Sequence, residues 1–490
     1  MLPINFPPTS SDKRILCGQV FVAMAFLCSF FGILTSDLRP DDQVILALMV
    51  SILTLLNFIG FAFLHQNKSA SLIFALLTTY IWVAYPVQLL MTLHNPQSAE
   101  FLLEFFRPGV IQNELLPAFY TVFPGIIALF AGLLIGRNII PNNFSTSNYV
   151  LRHNFFISII LCLIFLKVFI QTFWEIGLPG VSPQALPIPF LVGFLELLTR
   201  PTLFAIVNLY FYSVLRLKER KGILIAVSLL LINVLLALRV GYKTELALQG
   251  FLIAYYMLDV HDLLSKTRRR LISILTLLSI VSLITLYPLV SVYRNNLLSE
   301  KDFSEAIAET ADASEKDTSS TLHSILDRIN GIRVFYLAIK LGSNKDFSLI
   351  SLFNQDVQEL IKERLYGRDK DNAITAYGTT QLSVLYLIGG VPFLVFGCLI
   401  MGWAIRWTST YTTNHIFLYS ITFDAYLPFF CVLWVKILAS GGLIPLYMKE
   451  LALGIGCLFV IERICYAKKE TIIDPKLSNA PVRSGDVSRV

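Results

Sequence analysis

The chain has 490 residues, 55% hydrophobic and only 15% charged, with a formal net charge of +6 and a mean hydropathy of +0.67. A soluble chain of this length needs far more charge to cover its surface, so the composition excludes a soluble domain and requires an integral membrane class. The positive excess falls in short loops on alternate connections, a pattern of membrane orientation and not of nucleic-acid binding.

From the N-terminus, residues 1–14 are polar and lead into an apolar stretch at 15–35. That stretch exceeds the apolar core of a cleavable signal and is expected to remain as the first span. About twelve stretches of membrane-crossing length follow in all. They run 15–35, 43–65, 70–93, 116–136, 154–175, 190–215, 222–238, 246–260, 271–292, 379–403, 416–435 and 445–464. Asp37, Asp41 and Asp42 in the first connection flank Pro40 and read as turn chemistry.

One set of connections carries Lys13-Arg14, Lys68, Arg137 with Arg152, the basic runs 216–221 and 266–270, Arg406 and the tail from Lys468. The alternate set carries mainly Arg39, Arg107, Arg239 and Lys243. The basic set is expected to face the cytoplasm, which puts both termini inside and the longest connection, 293–376, outside. The expected organisation is therefore all-α. It comprises a polytopic membrane domain over 1–465, a large partly helical extracytoplasmic loop at 293–376 between the ninth and tenth helices, and a polar, disordered cytoplasmic tail at 466–490.

Within the loop, 299–320 is acidic and rich in Ser, Ala and Thr. From 322 to 341 apolar residues recur at helical spacing, which predicts an amphipathic helix lying on the outer membrane surface and carrying Arg328 and Arg333. A second short helix is expected over 346–364.

Positive charge gathers at the outer ends of spans seven to nine, where orientation does not call for it. Arg239 and Lys243 bracket Val240-Gly241-Tyr242, Arg294 ends the ninth span, and Arg328 and Arg333 follow in the loop. Arginine presents a planar fork of donors to phosphate oxygens and lysine a compact charge, so such a cluster suits a lipid-linked phosphate or pyrophosphate. The structural alternative is snorkelling of single side chains to the interface. Lys167, Glu196, Arg200, Asp424 and Lys436 fall within spans, where charge usually faces a bundle interior or watery cavity. Glu196 and Arg200 are one turn apart and share a helix face, as a neutralising pair would. These five residues keep a transporter reading open. No histidine or cysteine spacing matches a metal site, no Gly-rich phosphate loop is present, and no cofactor or metal is expected.

The segment 235–403 resembles the bacterial O-antigen, or oligosaccharide repeat-unit, polymerase family. Three features carry the resemblance. The first is the cationic span end Leu238-Arg239-Val240-Gly241-Tyr242-Lys243-Thr244-Glu245. The second is a large outer loop holding Arg328-Ile329-Asn330-Gly331, and the third is Ala376-Tyr377-Gly378-Thr379-Thr380-Gln381 leading into Gly389-Gly390-Val391-Pro392. The resemblance implies a metal-independent glycosyltransferase of the bacterial inner membrane. Such an enzyme moves a growing glycan from polyprenyl pyrophosphate to an acceptor repeat unit in lipopolysaccharide, capsule or exopolysaccharide synthesis. Its partners would be the lipid-linked oligosaccharide and membrane lipid, with room for a chain-length regulator protein and none for nucleic acid.

On that reading Arg239, Lys243, Arg294 and Arg328 stabilise the leaving pyrophosphate, and Arg333, Tyr242, Glu245 and Asp327 bind substrate. Glu245 and Asp327 are also the candidate general bases. A ligase of the same architecture often holds a histidine near the end of the large loop, and 372–381 holds none. The runner-up is a transporter or flippase for the same lipid-linked oligosaccharide.

Overall fold

A computed structural model describes residues 10–36, 38–64, 68–95, 100–103, 106–135, 149–176, 189–216, 220–239, 243–260, 274, 331–342, 350, 379–411, 421–441 and 444–468. The helices are α1 (Ser10–Leu34), α2 (Pro40–Leu64), α3 (Lys68–Trp82), α4 (Gln88–His94), α5 (Glu100–Leu103), α6 (Pro108–Leu134), α7 (His153–Phe173) and α8 (Pro189–Leu197). They continue with α9 (Leu203–Arg216), α10 (Arg220–Arg239), α11 (Lys243–Val260), α12 (Ile332–Leu341), α13 (Gln381–Tyr411), α14 (Ile421–Ala439) and α15 (Ile444–Cys465). Two π-helical turns, Val83–Val87 and Leu198–Thr202, join α3 to α4 and α8 to α9. Apart from these, the described residues form one short antiparallel pairing of β1 (Tyr149–Leu151) with β2 (Tyr466–Lys468).

Six helical stretches are long and apolar enough to cross a membrane: Pro40–Leu64, Ala70–His94, Pro108–Leu134, His153–Phe173, Leu191–Arg216 and Gln381–Thr410. Gly18–Leu34, Gly222–Leu238 and Tyr426–Ala439 are shorter apolar helices. The expected spans overlap described helices in part or whole, except 271–292, which falls outside the described residues save Ile274. Leu48, Leu55, Phe165, Leu224, Leu235 and Phe396 stand exposed on helix perimeters. Bare apolar side chains at that density need an apolar solvent, and the chain is read as membrane-embedded.

Local chemistry explains several boundaries. Pro40 opens α2 with Asp41 and Asp42 in its first turn, where carboxylates favour the helix N-terminus, and Arg39 Nε lies 3.1 Å from Asp42. The acidic first loop is therefore largely helix-start chemistry, with Asp37 outside the described residues. Within α13, Gly389 and Gly390 break the helical geometry, and Gly390 has φ +66°, a left-handed conformation open to glycine.

Packing rests on small residues and a few interhelical hydrogen bonds, as expected where lipid offers no hydrophobic drive between helices. The α6–α13 pair brings Gly132 and Gly402 together so closely that a Cβ on either would fall on a backbone carbonyl of the other helix, Leu399 or Leu129. Thr78 Oγ1 donates to Asn57 Oδ1 at 2.7 Å between α3 and α2. Asn208 of α9 and Gln249 of α11 exchange amide hydrogen bonds of 3.1 and 2.7 Å.

The helix expected on the membrane surface is instead packed inward. Ile332 to Ala338 of α12 are all buried, and the helix lies against α4, α6 and α13. The helix is amphipathic as expected, but its polar side is covered as well, with Arg333, Tyr336 and Lys340 meeting Thr92 of α4 and Glu114 of α6. Residues 322–330 of the predicted helix lie outside the described residues, and Gly331 stands at the N-cap of α12.

Candidate functional site

Both π turns carry an interior proline, Pro86 and Pro201. Proline lacks the N–H an α-helix needs and clashes with the carbonyl four residues back, and a π turn is one way to absorb it. The turn at Leu198–Thr202 includes Arg200, and both turns border one cavity of about 630 Å³. Leu76, Tyr80, Val83, Phe204, Leu248, Phe429 and Val432 make its apolar wall. Arg200, Glu245, Lys436, Ser440, Tyr447 and Glu450 make its polar wall.

Arg200 organises that wall. Its Nη1 donates to Glu196 Oε1 at 3.3 Å, within the helix-face pair expected from the spacing. Its Nε donates to Glu245 Oε1 at 2.8 Å, across to the first turn of α11. Lys436 Nζ lies 5.9 Å from the Tyr447 ring centroid, and the Tyr447 hydroxyl donates to Ser440 Oγ at 3.4 Å. Glu450 feels Lys436, Arg200, Glu196 and Glu245 electrostatically. Lys167 of α7 is buried behind the wall and feels Glu245 and Arg200. The cations Lys167, Arg200 and Lys436 are thus balanced by Glu196, Glu245 and Glu450.

Among the described residues, the buried side-chain atoms without a hydrogen-bond partner include Lys167 Nζ, Gln171 Oε1, Glu245 Oε2 and Glu450 Oε2, and others lie elsewhere in the bundle, as at Ser29 and Asn233. Each such atom costs about 1–3 kcal/mol unless something polar meets it. Of these, Glu245 Oε2 and Glu450 Oε2 belong to residues that line the cavity.

The same end of the bundle holds α12. Arg333 is buried, and its Nε donates to Thr92 Oγ1 of α4 at 2.9 Å. Tyr336 donates to Glu114 Oε2 at 2.7 Å, and Lys340 pairs with the same carboxylate. Burial, and then the hydrogen bond to Glu114, push the Tyr336 hydroxyl above its ordinary range. Gly331 lies on the Ala84 carbonyl of the first π turn, where a Cβ would collide. At the start of α13, the Ser383 amide donates to Thr380 Oγ1 at 3.1 Å. The Gly441 amide, between α14 and α15, donates to the Thr379 carbonyl. This last bond ties the α13 end that receives α12 to the helix ends that frame the cavity.

Of the residues expected to bind or catalyse, Glu245 lines the cavity and Arg333 does not. Arg239 ends α10 and Lys243 begins α11, two residues before Glu245. The side chains of both, like Tyr242, Arg294, Asp327 and Arg328, lie outside the described residues, as do the side chain of Asp424 and the rest of the loop. Glu450 was not anticipated, although an ionisable residue inside the apolar run 445–464 is a visible signal. Lys436 and Lys167 were visible as charges in spans but not as members of one cluster. Among the described residues no group of three or more His, Cys, Asp or Glu side chains is placed to hold a metal. Comparison with family models, curated proteins and solved structures finds no match for this chain.

Proposed function

We propose that this protein polymerises lipid-linked oligosaccharide repeat units. It would transfer a growing glycan from polyprenyl pyrophosphate to the end of an acceptor repeat, with twelve spans and the 293–376 loop on the outer face. The observation that carries the reading is the amphipathic cavity whose wall combines Arg200 and Lys436 with Glu245 and Glu450. In the orientation expected from loop charge, the start of α11, the end of α14 and the start of α15 face outward, so the polar wall would lie in the outer half of the membrane. The described part of the loop, α12, would dock on that same side.

The chemistry follows from the residues. The acceptor hydroxyl attacks the anomeric carbon, a C–O bond forms, and the bond to the pyrophosphate oxygen breaks with its electron pair. Negative charge grows on the leaving group, so fixed cations in a water-poor cavity lower the barrier. Arg200 and Lys436 are suited to this, with Arg239 and Lys243 at adjoining helix ends and Arg294 and Arg328 proposed as further members. The apolar wall would hold the isoprenoid.

A second reading has its own support. Helices interrupted at a midspan site are typical of transporters, and the two proline-bearing π turns border this cavity. A flippase for the same lipid-linked oligosaccharide would use such a cavity. The surface-glycan profile of a deletion strain, complemented with wild type, Arg200→Ala or Arg239→Ala, separates the two. Loss of the long ladder with single repeats still attached to the outer acceptor supports the polymerase. Loss of every surface unit, with single lipid-linked repeats trapped inside, replaces it with the flippase, and an unchanged profile removes both.

A further inference from the structure

The cavity holds two carboxylates that reach it from different helices in unlike settings, and they divide the work of the proposed reaction. Glu245 is nine-tenths buried, and one of its oxygens accepts the 2.8 Å hydrogen bond from Arg200 Nε. A carboxylate so paired holds the guanidinium in place, and the paired oxygen is already occupied. Glu450 reaches the cavity from the first half of α15, and its Oε2 is buried with no hydrogen-bond donor among the described residues.

The groups facing Glu450 are Lys436 and Tyr426 from α14, Arg200 with Glu196 on the opposing broken helix, Glu245 from α11, and Tyr447 from its own helix. Lys436 lines the same cavity, and no donor among the described residues occupies Oε2. The carboxylate thus borders the cavity without the guanidinium partner that Glu245 has.

We propose that Glu450 is the general base of the transfer and that Glu245 is a positioning residue acting through Arg200. The proposal rests on the polymerase reading above. In the step, the acceptor hydroxyl proton passes to the Glu450 carboxylate as the acceptor oxygen bonds to the anomeric carbon. The electron pair of the breaking C–O bond leaves with the pyrophosphate, and the protonated carboxyl then returns its proton to water. No other reactant is needed.

The test uses full-length protein in lipid nanodiscs, with lipid-linked repeat units extracted from a deletion strain as substrate and farnesyl pyrophosphate as the binding probe. Glu450→Gln is expected to lower turnover by about 100-fold or more, the scale of a general base. It should leave farnesyl pyrophosphate affinity near wild type and abolish the acid limb of the pH–rate profile. Glu450→Asp should recover part of the rate and keep that limb, displaced. Glu245→Gln should weaken farnesyl pyrophosphate binding and keep the limb.

A Glu450→Gln protein that retains the wild-type rate or the acid limb overturns the assignment while the polymerase reading stands. So does one that loses rate only in proportion to binding, since that marks a structural role. If Glu450→Gln fails to fold, Glu450→Asp decides, and an acid limb unmoved from wild type counts against Glu450. Wild-type protein that makes no polymer at any pH refutes the polymerase reading and this inference together.

Discussion

The Arg200–Glu245 pair should show a coupling energy of intermediate size, because removing Arg200 leaves a largely buried carboxylate without that donor, whereas Arg200 still has Glu196. Glu245 has 11% of its side chain exposed and Arg200 33%, with Nε and Oε1 2.8 Å apart. At an effective dielectric of about 20, two unit charges at that distance attract by roughly 6 kcal/mol before desolvation is charged against them. Removing one partner of a fully buried pair costs about 3–5 kcal/mol, whereas an exposed pair contributes about 0–1 kcal/mol. With Arg200 a third exposed and shared with Glu196, the coupling should fall between these limits, at about 2 kcal/mol. A double-mutant cycle of Arg200→Gln, Glu245→Gln and the double variant, read by reversible detergent unfolding, measures it. Each single variant should be less stable than the sum of side-chain losses suggests, and the double variant should regain part of the loss. Single effects that add within about 0.5 kcal/mol would mean that the two groups do not interact, and the cavity wall would have to be redrawn.

Further predictions test packing and orientation. Gly402→Leu should destabilise the α6–α13 pair by at least about 1–3 kcal/mol, the usual cost of overpacking, because the new side chain meets the Leu133 backbone nitrogen at 3.0 Å and the Leu129 carbonyl closer still. Thermal unfolding in detergent would show this as a lowered midpoint, and an unchanged midpoint would refute the close approach. In a variant otherwise free of cysteine, Ser320→Cys should react with a membrane-impermeant maleimide in intact cells, whereas Ser478→Cys should react only after permeabilisation. The reverse pattern would overturn the outward loop on which the proposed function depends.

Six spans were legible because a crossing needs a long apolar run whatever its neighbours, and Pro40–Leu64, Ala70–His94, Pro108–Leu134, His153–Phe173, Leu191–Arg216 and Gln381–Thr410 have that length and composition. The Glu196–Arg200 pair was legible because one helical turn separates the residues. The Arg200–Glu245 bond was not, since its partners are 45 residues apart and join only when α11 packs beside the broken α8–α9 helix. Each proline was visible, but nothing local distinguishes a proline that kinks a helix from one absorbed in a π turn. The inward packing of α12 was likewise hidden, because helical spacing gives a face and not the number of neighbours that will claim it. The exposed Cys28 and Cys162 show the same limit, as an apolar setting in sequence does not say which helix side meets lipid.

The pairing of β1 with β2, reinforced by the 2.7 Å bond from the Arg152 amide to the Cys465 carbonyl, fastens the last residues of α15 to the start of α7. Glu450 stands on the same rod, about 22 Å along the axis at 1.5 Å per residue. Fastened at that end, α15 is a lever whose working tip lies at the cavity. A tilt of only ~5° about the clasp would carry the Glu450 backbone by about 2 Å over that arm. A substitution that breaks the clasp is therefore expected to change the distance between this carboxylate and Arg200, although neither residue belongs to the β pairing.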